Sequence, residues 1–340
     1  MTRVRYALAP MLLWGSTAAA TPYQDVLLPA GPQAHHIHVL WLIMLGVCAL
    51  VLVAVVVAVA AALWRSPRSD EHTAPDMRHM RAPEPRLARG VAIALAISLA
   101  GLLALMIASV VTDRALAQLP LKDGVAIEVT AHQWWWQVRY EAQEGPLVFD
   151  TANELHVPVG RPVIVKLQSR DVIHSFWVPN LDGKKDLIPG RVMTLRFRAD
   201  KPGTYRGQCA EFCGYQHAKM AFVVIADEPQ AYEKWLASQR EPAAAPRNDT
   251  ITRGEQVFMT SACVMCHSIK GTPAHGRTGP DLTHLASRRT LAAGTLVNTR
   301  GNLAGWIVDP QGVKPGANMP PTALDPDDLQ ALLEYLGSLT

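Results

Sequence analysis

Five cysteines in 340 residues are too few to build a disulfide framework. The balance of charge, +3, is near neutral, and no basic cluster with interleaved aromatics offers a surface for nucleic acid. No internal repeat is found. Two stretches lack ionisable side chains altogether, residues 39–63 and 91–111. Crossing a bilayer takes about 20 apolar residues, so both read as membrane-spanning helices rather than as buried helices of a soluble protein. Lys and Arg are also missing between Thr21 and His38, whereas the polar loop between the two runs carries Arg65, Arg68, Arg78, Arg81, Arg86 and Arg89. The positive-inside rule then puts that loop in the cytoplasm and everything after residue 111 on the outer, periplasmic side.

What is present divides the chain. Arg3 and Arg5, a short apolar stretch over residues 6–14 and the small residues ending at Ala18-Ala19-Ala20 have the layout of a signal peptide, residues 1–20. A transmembrane hairpin follows, residues 21–118. His35, His36 and His38 at its outer edge read as interfacial histidines, and Cys48 as a small buried apolar residue. Residues 119–240 carry short alternating or β-branched runs broken by turn residues such as Pro158, Gly160 and Pro189-Gly190. Such spacing predicts an antiparallel β-sandwich or barrel. Residues 241–249, EPAAAPRND, are rich in Ala and Pro and predict a linker. Residues 250–340 predict a small helical domain, with an amphipathic helix over 327–339 as its clearest element.

Four of the cysteines acquire meaning from their neighbours. The segment Gly207 to Met220 reads GQCAEFCGYQHAKM and brings Cys209, Cys213, His217 and Met220 into one loop between two strand-like runs. Soft thiolates with imidazole suit copper, with Met sulfur or a backbone oxygen as a weak axial ligand. Two thiolates can bridge two copper ions, and His174, in Asp171-Val-Ile-His-Ser-Phe-Trp-Val-Pro179, can give the second ion its imidazole. The competing reading is a Cys209–Cys213 disulfide in an oxidising compartment, which leaves His217 and Met220 without a purpose. Farther on, Cys263-Val-Met-Cys-His267 is the covalent attachment motif for heme c, with His267 as proximal ligand. Met319, in Gly316-Ala-Asn-Met-Pro-Pro321, is the methionine available beyond it for the other axial position, and His275 and His284 compete. Met/His ligation suits an electron carrier.

The two outward-ended helices, the His-Ser-Phe-Trp run, Asp186-Leu-Ile-Pro-Gly-Arg191 and the copper loop resemble subunit II of heme–copper oxidases. With the heme motif, the whole resembles the caa type, in which a cytochrome c is fused to that subunit. The resemblance implies a multidomain chain: a two-helix transmembrane hairpin, a cupredoxin-like β-sandwich or barrel, and an all-α class I cytochrome c domain. It implies a dinuclear copper A centre held by His174, Cys209, Cys213, His217, Met220 and the backbone carbonyl of Glu211. The Glu211 side chain would also reach a magnesium ion at the border with subunit I. Ala131-His-Gln-Trp-Trp-Trp-Gln137 is similar to the family's aromatic patch beside the copper, which makes Trp134 the point where electrons enter. Residues 252–260 resemble the first helix of small bacterial cytochromes c, with Gly254 and Phe258 packing near Tyr335. Thr278-Gly-Pro-Asp-Leu282 resembles the heme-covering loop, and Lys314-Pro-Gly precedes the methionine as in the fused type. The family's glutamate at the start of the second helix has Glu84 as its nearest counterpart, in a Pro-flanked stretch that does not align cleanly.

The implied function is that of a proton-translocating cytochrome c oxidase, in which this chain relays electrons from a cytochrome c or other mobile donor. They pass through heme c and copper A to subunit I, which holds heme a, copper B and the dioxygen chemistry. A subunit III, the lipid of a bacterial inner membrane and no nucleic acid complete the expected partners. A copper A-containing nitric oxide reductase with the same relay is the alternative. A membrane-tethered copper carrier has no use for a fused heme c.

Overall fold

A computed structural model describes residues 24–66, 72, 85–118, 122–141 and 149–340. The expected signal peptide, Glu84 and the arginines at 68, 78 and 81 lie outside them. Helix α1 (Pro32–Arg65) and helix α2 (Pro85–Ala117) form the hairpin. They have 34 and 33 residues; at about 1.5 Å of rise per residue each runs to about 50 Å, well beyond the ~30 Å hydrocarbon core. The uncharged runs are therefore the middles of longer helices. Their apolar side chains point outward, Leu50, Leu52, Leu99 and Leu102 among them, as lipid solvation requires. His35 and His36 sit exposed in the first turns of α1, and His38 stacks on Trp41.

The start of α1 is sewn to the next domain. Ala30 N–H donates to Asn180 O at 2.7 Å, Ala34 N–H to Leu181 O at 3.2 Å, and Asp200 N–H to Ala30 O at 2.7 Å. Gly31 lies so close to Arg198 that a Cβ would overlap its carbonyl oxygen. Only glycine allows that approach.

The domain comprises β1 (Val125–His132), β2 (Trp135–Tyr140), β3 (Phe149–Ala152), β4 (Glu154–Pro158), β5 (Pro162–Ser169), β6 (His174–Trp177), β7 (Lys185–Leu187), β8 (Met193–Arg198), β9 (Gly203–Cys209) and β10 (Ala221–Asp227). They form two five-stranded sheets, ordered β3-β2-β1-β5-β8 and β4-β10-β9-β6-β7. In β5 the residues Val163, Val165 and Leu167 alternate inward, as one buried face demands. The expected antiparallel pairing holds for most neighbours, but β1 with β5 and β4 with β10 run parallel. Those pairs join strands far apart in sequence, which local alternation does not encode. Trp136, Phe176 and Phe222 meet edge-on or stacked at the centre of the sandwich. Helix α3 (Pro229–Arg240) closes one end, setting Trp235 against Tyr140 and Phe149.

The last domain contains α4 (Asp249–Thr260), the short α5 (Cys263–Cys266), α6 (Arg300–Val308), α7 (Pro310–Val313) and α8 (Pro326–Ser338). Asn248 caps α4 by accepting from Ile251 N–H at 2.8 Å. A small ribbon, β11 (Thr290–Leu291) with β12 (Leu296–Val297), interrupts the expected all-helical pattern. The linker does not hang free: Ala243 N–H donates to Lys270 O at 2.9 Å, and Pro242 packs on Gly271.

Helices α4 and α8 cross at Gly254, where a Cβ would overlap the Ala331 carbonyl; Phe258 and Tyr335 pack one turn on, ring centres 6.1 Å apart. Gly254→Ala should therefore destabilise this domain by about 1–3 kcal/mol through overpacking, although alanine in an open helix stabilises by about 1 kcal/mol. Thermal unfolding followed at the heme domain checks this; an unchanged or raised midpoint contradicts the crossing.

Candidate metal centres

The copper loop is made by a reversal between β9 and β10. Cys209 ends β9, a single 3-10 turn spans His217–Lys219, and Met220 precedes β10. Cys209 N–H donates to Met220 O at 2.9 Å, so the two ends of the loop are stitched together. The reversal collects the predicted ligands. Cys209 Sγ and Cys213 Sγ are 3.7 Å apart and both thiols are free, so no disulfide of about 2.0 Å joins them. His174 Nδ1 lies 3.7 Å from Cys209 Sγ, and His217 Nδ1 lies 3.7 Å from Cys213 Sγ. Met220 Sδ is 3.9 Å from Cys213 Sγ, and the Glu211 carbonyl oxygen is 3.2 Å from Cys209 Sγ. Each sulfur thus has its own imidazole and its own weak donor.

The donor chemistry fits soft metal ions. His174 is wholly buried, and its Nε2 lies 2.8 Å from Asp171 Oδ1. That carboxylate holds the proton on Nε2 and turns the Nδ1 lone pair toward the sulfurs. Burial pushes the Asp171 carboxyl up, but hydrogen bonds from His174 and from the Val172 and Gln133 amides outweigh it and leave the group below its usual range. The hydrogen bond from the Cys213 thiol holds Cys209 well below the usual thiol range, and the same bond with Cys209 pushes Cys213 well up.

Asp171 escaped the sequence reading, although its position three residues before His174 was the available signal. Its other oxygen accepts from Gln133 N–H at 2.6 Å and so ties the tryptophan run to His174. Trp134 lies in the two-residue turn between β1 and β2 rather than on a strand. Its indole N–H donates to the Cys213 carbonyl at 2.9 Å, and Gln133 Nε2 donates to the same oxygen at 2.8 Å. Gly214, at φ 107°, leaves room for the ring, since a Cβ there would stand 3.2 Å from Trp134 Cζ2. Trp136 is core, and Trp135 stacks on His132. The Glu211 side chain is half-buried, and among the described residues no other carboxylate joins it in a cation site.

The second centre lies in the helical domain. Helix α5 carries the free thiols Cys263 and Cys266 and ends at His267. His267 Nδ1 lies 2.7 Å from Pro280 O, which leaves Nε2 for a metal. Gly279 packs on the ring, where a Cβ would be 2.8 Å from Cε1. Burial pulls the His267 pKa down and keeps the imidazole neutral. Arg288 is buried with its Nε unpartnered, a cation that suits a carboxylate-bearing cofactor such as heme. Met319 is half-buried against the same core, on a loop held by Gln311 Nε2, which donates to Ala317 O at 2.8 Å and Met319 O at 3.0 Å. Of the competing ligands, His275 is exposed, and His284 has both ring nitrogens engaged, Nδ1 2.8 Å from Thr340 O and Nε2 3.2 Å from Glu241 O.

Comparison with known proteins agrees with both halves. Residues 142–227 match the family described as Cytochrome C oxidase subunit II, periplasmic domain, and residues 251–340 match Cytochrome c. A cytochrome c oxidase subunit 2 of Alkalihalophilus pseudofirmus is 35% identical over 324 residues, covering 92% of this chain and 89% of that relative. One from Bacillus subtilis is 30% identical over 229 residues, covering 64% of this chain and 63% of its own. Among solved structures, the periplasmic domain of subunit II of cytochrome oxidase of Bradyrhizobium japonicum is 32% identical, with a TM-score of 0.32 over 34% of this chain and 93% of that one.

Replacing Asp171 by Asn keeps the shape but removes the carboxylate that orients His174. Copper affinity, measured by competition with a chelator, should fall about 10–100-fold, as is usual when such an outer partner is lost. Unchanged affinity would show that packing alone fixes the imidazole.

Proposed function

This chain belongs to the cytochrome c oxidase subunit II family, and we propose that it carries electrons from a mobile donor through its own heme domain to a dinuclear copper centre and on to subunit I. It is an oxidase subunit with a fused cytochrome c domain, anchored by two apolar helices, and so a partner of subunit I. The finer route rests on one observation above the rest: two free thiols 3.7 Å apart, each with an imidazole Nδ1 at 3.7 Å.

His174, Cys209, Cys213, His217, Met220 and the Glu211 carbonyl would hold the copper pair; Cys263, Cys266, His267 and Met319 would hold heme c. When bound, these groups supply one-electron couples, with the heme potential raised by Met/His ligation. The protein's part is to keep each ligand set fixed so that little moves when charge arrives. Asp171 and Pro280 do this for the two histidines by holding their second nitrogens. The buried surroundings of Cys209 and Met220 keep water from the sulfurs.

Arg65, Arg86 and Arg89 at the inner ends of the helices support an orientation with both redox domains on the periplasmic face of the inner membrane. A magnesium ion at Glu211 would need most of its ligands from subunit I, because hard cations take about six oxygen donors. Heme a bands in the intact complex support the oxidase, whereas their absence together with nitric oxide consumption would favour the reductase.

Two spectra test the ligand sets. A fragment of residues 120–240 loaded with copper should be purple and mixed-valent, and a single blue copper would refute the dinuclear assignment. In the intact chain, Met319→Ala should abolish the methionine–iron charge-transfer band. Retention of that band would assign the axial position elsewhere.

A further inference from the structure

The heme domain and the copper domain touch through a contact made of buried charges meeting backbone. Lys314, five residues before Met319, is 3% exposed. Its Nζ donates to Trp134 O at 2.7 Å and Lys219 O at 2.9 Å in the copper domain, and to Ala292 O at 3.2 Å in its own. The converse contact is Glu154 of β4, 4% exposed, whose Oε1 accepts from the amides of Arg289 at 2.6 Å and Thr290 at 3.2 Å in the heme domain. Each domain therefore buries one charge in the backbone of the other. Between them, Gln216 Nε2 donates to Pro315 O at 2.7 Å, Lys219 Nζ to Val313 O at 2.6 Å, and Ala221 N–H to Ala293 O at 2.9 Å. The loop that receives Ala221 holds Ala292 and Ala293 at φ 52° and 57°. Residues with a Cβ rarely adopt that conformation unless their surroundings hold them there.

Such a contact has one register. A buried cation whose three N–H groups are all taken strands a polar group if the domains slide, and the same holds for the carboxylate. Apolar surfaces tolerate sliding; these do not. The contact also falls on Trp134: its carbonyl holds Lys314, and a Cβ on Gly316 would stand 3.7 Å from the indole. The outer side of the indole is therefore occupied by the chain's own heme domain, while its N–H reaches the Cys213 carbonyl.

We propose that Lys314 and Glu154 are positioning residues that lock the heme domain onto the copper domain in a single pose, with residues 314–316 seated on Trp134. The linker then joins two docked bodies rather than acting as a leash. The electron leaving reduced heme c for oxidised copper crosses a fixed gap with no domain search, and no proton accompanies it. An external donor meets the heme domain, not Trp134. Burial draws the Lys314 pKa down to about 7, while its three carbonyl partners use the three N–H groups of the ammonium form, so the test is made below that value.

The inference rests on the electron route proposed above, and the test separates the two. The intact oxidase is compared with its Lys314→Met and Glu154→Gln variants by hydrogen–deuterium exchange and by flash reduction of the heme at increasing glycerol. In the unaltered complex, the amides of Arg289, Thr290 and Ala221 should be protected, and transfer to copper should be independent of viscosity. Lys314→Met takes the ammonium donor from three carbonyls, of which Ala292 O keeps its bond from Thr295 Oγ1 at 2.7 Å, and should shift the docked-to-open ratio by about tenfold. Exchange at those amides should quicken accordingly, and the transfer should become viscosity-dependent. The amides of Ile127 and Val165, deep in the sandwich, and both cofactor spectra should stay as they were. Unprotected contact amides in the unaltered complex, or variants with unchanged exchange there, overturn the lock. A viscosity-dependent transfer in the unaltered complex overturns it as well, without recourse to any variant. If a cofactor band is missing from the unaltered protein, the proposed route fails, while the exchange data still decide the docking.

Discussion

Two sulfurs held 3.7 Å apart and unbonded are the constraint around which the rest is arranged. In an oxidising compartment such a pair tends to form a disulfide, and a bound soft cation is the alternative that preserves both thiolates. The fold supplies that alternative by geometry. The loop between β9 and β10 closes on itself through Cys209 and Met220, and β6 brings His174 from the neighbouring strand. Asp171 then fixes both His174 and the turn bearing Trp134, so ligand and indole share one anchor. Cys213 faces two ways: its sulfur lines the site, and its carbonyl receives the indole N–H.

From this centre, the same logic extends in both directions along the chain. Toward the apolar helices, the start of α1 is hydrogen-bonded to residues 180 and 181, a few residues past the strand of His174. The sulfurs are thus tied by short contacts to the start of the first apolar helix. Toward the C-terminus, a short tether alone would raise the effective concentration of the heme domain into about the millimolar range. The linker here does less than that, because it is laid against Lys270 and Gly271 of the domain it introduces. What holds the domains together is the contact that Lys314 and Glu154 make with backbone groups.

Legibility in the sequence followed the range of the interaction. The Cys-X-X-Cys-His motif, and two cysteines with a histidine and a methionine in fourteen residues, are local patterns, because each set sits on one turn or one loop. The crossing of α4 with α8 was legible through the resemblance to small cytochromes c, at Gly254, Phe258 and Tyr335, whereas periodicity alone indicated no more than a small helical domain. Helix lengths were not: lack of charge marks the part of a helix inside lipid, and α1 continues past it at both ends. The parallel pairs β1–β5 and β4–β10 depend on crossovers that alternation along a strand does not record.

The contact between the domains was the least legible feature, for a physical reason. Lys314 and Glu154 look like ordinary surface charges because long charged side chains are mostly exposed. Their partners are backbone carbonyls and amides, which every residue has and no side-chain pattern marks. A hydrophobic contact would have left an apolar stripe to read, and an ion pair would have left two opposite charges. A charge satisfied by backbone leaves only itself. It is also the contact least tolerant of displacement, since backbone groups cannot turn to follow a moving side chain, whereas two flexible side chains can. A relay whose rate depends on a fixed gap is served by a contact of that kind, and its near-invisibility in the sequence follows from the same chemistry that makes it specific.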